Sequence, residues 1–141
     1  MADPYDLERF VAAQDSGGTY DDALGELRRG QKTSHWMWFV FPQIAGLGQS
    51  ATAKRYAIAS LDEAQAYLRH PVLGPRLLEC TRVVNEAKAT SAEQIFGFVD
   101  AKKLHSSMTL FMRAAPDEPL FERALARYFG GVPDAGTERR L

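Results

Sequence analysis

The chain has 141 residues, 45% of them hydrophobic and 25% charged, the balance of one folded domain and not of a disordered chain. Seventeen basic residues against eighteen acidic ones leave a formal charge of −1, which argues against nucleic-acid binding by bulk charge. A single cysteine, Cys80, excludes an internal disulfide and any multi-cysteine zinc site, and no metal or cofactor is expected.

No apolar run approaches the roughly 18 residues of a membrane span. The N-terminus opens with Asp3 and Asp6 rather than with a basic signal region, so a cytoplasmic protein without membrane contact is expected.

The pattern is helical nearly throughout. Asp3-Pro4 predicts a capped start, with Leu7, Phe10, Val11 and Gln14 repeating at helical spacing until Gly17-Gly18. Thr19 with Asp22 predicts the next cap, Tyr20, Leu24 and Leu27 form its stripe, and Gly30 follows Arg28-Arg29 at the stop. The densest apolar stretch, Ser34 to Pro42, suits a buried strand or a buried helix by length. With no second strand to pair with, it reads as a short helix ended by Pro42.

Residues 44–50 then read as a loop leading to a helix capped by Ser50. Ser60 with Glu63 predicts a capping box for a helix to about Arg69, broken by His70-Pro71. Gly74-Pro75 starts a longer helix with the stripe Leu77, Leu78, Thr81, Val84 and Ala87. Ser91 with Gln94 opens a short turn to Phe98, and Asp100 is expected to cap a helix carrying Leu104, Met108 and Phe111. Glu118-Pro119 opens the last helix, which Gly130-Gly131 stops. The expected architecture is all-α: one domain of seven to nine short helices over residues 1–130, followed by a flexible tail over 131–141.

Three blocks set polar groups among apolar ones. In the first, Lys32, Ser34, His35 and Gln43 bracket Trp36, Met37, Trp38, Phe39 and Phe41. Rings of this kind form pocket walls, and a histidine held against them can move protons; core packing with a satisfied histidine is the plain alternative. In the second, Gly46 and Gly48 precede Ser50, with Lys54 and Arg55 one turn in. Exposed amides there would favour an anion, although the spacing is that of no P-loop and an ordinary helix start explains it as well. In the third, Lys103, Ser106 and Ser107 share a helix face after Asp100, where serines permit either ligand contact or close helix packing.

Taken together, the stretches Leu7–Gln14, Ala23–Arg28, Ser34–Gln43, Gly46–Gly48, His70–Gly74, Ile95–Lys103 and Ser106–Phe111 resemble the domain of unknown function family 1810 over roughly residues 5–130. The resemblance implies a compact all-helical bacterial domain and no particular activity. A calpastatin label carried by some members does not suit a chain without repeats.

The reading that follows is a pocket for a small anionic molecule, phosphorylated or nucleotide-like. Its ligand contacts would come from Lys32, Ser34, Trp36, Trp38, Gln43, Gly46, Gly48, Arg55, Lys103, Ser106 and Ser107. For hydrolysis, His35 is the first proton carrier and Asp100 the second. The alternative is a non-catalytic module in which these blocks are core and a protein partner, or a second copy, docks on the face of Phe121 and Tyr128. Single-stranded nucleic acid on Trp36 and Trp38 is disfavoured by the charge balance.

Overall fold

Residues 3–141 are described by the computed structural model, so the first two residues of the expected domain lie outside it. Among the described residues the chain forms nine α-helical segments and one isolated parallel bridge, Ile44 to Ile58. The all-helical expectation therefore holds.

The first helices start and stop where local chemistry dictates. Asp3 accepts from the amides of Leu7 and Glu8 at 2.8 and 3.0 Å and leads into α1 (Glu8–Asp15). A 3₁₀ turn (Ser16–Gly18) follows, and α2 (Thr19–Arg29) enters from Gly18 in the left-handed region instead of from a Thr19 cap. The Thr19 hydroxyl donates back to Ser16 O. Gly30 ends α2 at φ 76°, with its amide and that of Gln31 returned to the last carbonyls.

Further along, the aromatic stretch is indeed a single helical turn, α3 (Met37–Val40). Serine caps open α4 (Ala51–Arg55) and α5 (Leu61–Arg69), through Ser50 to Ala53 N at 3.1 Å and Ser60 to Glu63 N at 3.2 Å.

The second half is built on three long helices, α6 (Leu73–Glu86), α7 (Ala92–Ala114) and α8 (Pro119–Phe129); α6 and α7 each pack on α8 and on α5. The serine caps hold, with Glu63 and Gln94 reaching back to the amides of Ala59 and Thr90, one residue before each serine. The break in α7, however, falls at Gly97 (φ 80°, ψ 170°), so helix resumes at Phe98. Asp100 thus lies within the helix and caps nothing.

An aromatic chain runs through the core from Phe10 to Tyr67, Phe111 and Phe121, with ring centroids 5.2, 5.4 and 5.8 Å apart. Phe121 is fully buried and the Tyr128 hydroxyl donates to Val84 O at 2.6 Å, which closes the docking face expected on α8.

The segment after Gly131 differs from the expected tail. It forms α9 (Ala135–Glu138), which packs on α7, because Asp134 caps it through Thr137 N at 3.0 Å and itself receives Ser106 Oγ. The Thr109 hydroxyl accepts from Asp134 N at 2.8 Å, and Arg113 pairs with Glu138.

Candidate functional site

Glu26 organises the region from below. It sits on the inner face of α2, only 4% exposed, and its carboxylate accepts from Thr33 N at 2.7 Å, Ser34 N at 3.0 Å, Trp36 Nε1 at 3.0 Å and the Ser34 hydroxyl. Burial alone would raise its pKa, but the hydrogen bonds from Ser34, Thr33 and Trp36 together outweigh burial and bring it down to about 2. Residues 33–36 are thereby tied to α2.

Two predicted contacts are consequently spent inside the fold. Trp36 is fully buried, edge-on to Phe96, and its ring cannot stack on a ligand. Ser34 is engaged by Glu26 through both its amide and its hydroxyl. With Trp36 turned inward, its neighbour His35 is exposed and does not line the cleft beside Trp38, so the proton carrier preferred from the sequence is not at hand there.

Lys32 lies beside this network with its side chain 7% exposed. Its ammonium meets Asp100 Oδ2 at 2.8 Å, donates to Ser34 O, and stands 5.0 Å from the centre of the Trp36 ring. The other Asp100 oxygen meets Lys103 Nζ at 3.4 Å, one turn further along α7. Lys103 in turn lies 4.7 Å over the Trp38 ring. Asp100 therefore has a lysine on each oxygen, and it binds two elements together instead of standing free for chemistry.

Lys103 and Trp38 open onto a cleft of about 150 Å³ between α3, α4, α7 and the 43–48 loop. Phe41, Ile44 and Tyr56 give it apolar walls, while Gln43 and Lys54 add polar groups. Lys54 and Lys103 line it, and among the described residues no carboxylate or histidine does. The loop is held by the backbone bridge Ala45 N to Ile58 O and Ile58 N to Gln43 O, both 2.8 Å. It is held also by Arg140, whose guanidinium donates to Gly46 O at 3.3 Å.

The site residues named from the sequence thus divide. Trp38, Gln43, Gly46, Gly48 and Lys103 line the cleft, and Lys32, Ser34, Trp36 and Asp100 form the support behind Lys103 and Trp38. Arg55 is exposed against Tyr56, away from the lining. Ser106 faces α9 through Asp134. Ser107 is fully buried and its hydroxyl has no hydrogen-bond partner among the described residues. Gly48 serves packing: a Cβ there would stand 2.5 Å from that of Ala53. The α4 start is no anion cradle either, being a five-residue helix whose Ser50 already takes the Ala53 amide.

Glu26 and Tyr56 were missed in the sequence. Position 26 falls three residues after the buried Ala23 and six after Tyr20, a carboxylate on an apolar face, and that placement is the signal that marks it.

Comparison with known proteins agrees with this fold. A family model described as protein of unknown function (DUF1810) matches residues 4–141. The crystal structure of the conserved hypothetical protein Rv1873 from Mycobacterium tuberculosis is similar with 55% sequence identity and a TM-score of 0.95, over 99% of this chain and 98% of that one. No curated protein matches the chain.

Proposed function

The chain belongs to the DUF1810 family, and we propose that its cleft beside Trp38 binds a small anionic molecule, phosphorylated or nucleotide-like. The observation that carries this is the lining itself: Lys54 and Lys103 among the aromatic walls of Trp38, Phe41 and Tyr56, with no lining carboxylate among the described residues to balance them. A partly enclosed, positively charged pocket with apolar walls favours an anion attached to a planar or apolar body. At about 150 Å³ the cleft encloses one part of such a ligand and leaves the remainder at its mouth. Binding without hydrolysis is the reading favoured, since the lining offers no carboxylate or histidine to carry a proton.

A thermal-shift screen against nucleotides, sugar phosphates, dinucleotides and ADP-ribose-type compounds tests this. A ligand at about a hundred times its dissociation constant stabilises by roughly 2.7 kcal/mol, a rise of several degrees for a chain of this size. The rise should vanish in Trp38→Ala and Lys103→Met. A flat response across the panel would turn the proposal towards the second reading, a protein-interaction module, for which the exposed pair Phe98 and Val99, 67% and 65% accessible, speaks. Sedimentation would then be the deciding measurement.

A further inference from the structure

We infer that Lys32 is a positioning residue that leaves the Lys103 ammonium free to hold the oxyanion of the ligand. This rests on the binding reading above and assigns the oxyanion its contact.

Two ammonium groups share one carboxylate here, and they share it unequally. Lys32 stands 2.8 Å from Asp100, with its side chain 7% exposed; Lys103 stands 3.4 Å away and is 23% exposed. Two of the three N–H groups of Lys32 go to Asp100 and to Ser34 O, and its ammonium lies against the face of the buried Trp36. Lys32 is thus turned into the fold, and it does not line the cleft.

Among the described residues Lys103 has the long Asp100 contact and the Trp38 ring beside it, which leaves N–H capacity for the cleft that it lines. Charge counting gives the same division. The trio carries one excess positive charge, and Lys54 adds a second on another wall. Glu26, whose carboxylate holds the same segment, is enclosed by neutral donors. Without Lys32, Asp100 would take Lys103 for itself and the cleft would keep only the Lys54 charge on its other wall. An oxyanion completes the group because it accepts the remaining N–H and balances the excess charge in a partly desolvated place.

Tryptophan fluorescence titration of the full chain tests this, since Trp38 is in the cleft and Trp36 is buried. The probes are AMP, adenosine and inorganic phosphate. The wild type should bind AMP at least tenfold more tightly than adenosine, roughly the worth of one charge-assisted hydrogen bond. Inorganic phosphate should compete with AMP. Lys103→Met should lower the AMP-to-adenosine ratio several-fold, leaving only the preference that Lys54 supplies. Lys32→Met, although remote from the ligand, should lower the ratio several-fold, and the double variant Lys32→Met/Asp100→Asn should restore it. A merely structural role for Lys32 would not show that rescue.

Melting curves identify any variant that fails to fold, and Lys32→Gln replaces Lys32→Met in that event. An unchanged ratio in the folded Lys32 variant, or no rescue in the double variant, would overturn the inference while leaving the binding site in place. Absence of any titration with AMP, adenosine and the whole panel of phosphorylated compounds in the wild type would instead overturn the binding reading, and this inference with it.

Discussion

Glu26 shows how much one side chain can fix. Four donors converge on a carboxylate that is nearly sealed from solvent, and all of them come from residues 33–36, which lead into the aromatic cleft wall. Its pKa, held at about 2 against an ordinary 4.5, is worth up to about 3 kcal/mol of stability. The sign follows from the lowered value. The contribution is complete above the unfolded-state pKa near 4.5 and fades as pH falls towards 2. Urea denaturation at stepped pH should therefore show a loss of stability between about pH 5 and 2 that Glu26→Gln lacks. A parallel loss in the variant would assign the acid sensitivity elsewhere. Gln14 plays a similar part without charge: its amide donates to Phe39 O and Tyr67 and accepts from Arg76, joining α1, α3, α5 and α6.

At the level of elements, two glycines decide how helices meet, for different reasons. At Gly74 a Cβ would stand 2.1 Å from Leu68 O, so the start of α6 can lie on the end of α5 only without a side chain. Gly74→Ala should cost about 3 kcal/mol or more, because the atom it strikes is backbone and cannot swing aside. At Gly97 there is open space, yet φ 80° and ψ 170° form a conformation that glycine alone adopts comfortably. Gly97→Ala should therefore cost only about 1–3 kcal/mol, from strain alone. Chemical denaturation of the pair checks the order, and a costlier Gly97→Ala would refute the distinction between collision and strain.

The kink at Gly97 lets Phe96 pack on Trp36 and Phe41 while Phe98 and Val99 turn to solvent. Three residues later it delivers Asp100 to Lys32.

Considered as a whole, the molecule closes on itself through its last ten residues. Val132 O meets His105 Nε2 at 2.7 Å, Asp134 joins Ser106 and Thr109, Glu138 pairs with Arg113, and Arg140 reaches the Gly46 carbonyl on the cleft loop. Gly136 also lies against Leu47, where a Cβ would sit 3.3 Å from its methyl. Deleting residues 132–141 should therefore lower the melting temperature by several degrees and free the loop that forms one cleft wall. Hydrogen exchange at residues 44–48 should rise in the truncated chain. Unchanged protection there would show that the Ile44–Ile58 bridge holds the loop unaided.

Local chemistry made much of this legible in advance. Serine followed three residues later by a helical amide, glycine after the last buried residue, and apolar residues three and four apart act within one turn of chain, so the caps at Ser50, Ser60 and Ser91 and the stops at Gly30 and Gly130 were determined by the sequence itself. The all-helical class followed from them, as did the polar blocks around Trp38 and Lys103.

What only tertiary structure decided was direction. Whether Trp36 or Trp38 faces the cleft, whether His35 points in or out, and whether Ser106 meets a ligand or α9 each depends on partners far along the chain: Glu26, Asp100 and Asp134. The terminal segment misled for the same reason. A four-residue helix has too few internal hydrogen bonds to signal itself, and it exists because Ser106, Thr109 and Arg113 on α7 hold it. Periodicity reports the burial of a face, whereas the choice of what that face touches belongs to contacts between residues distant in sequence.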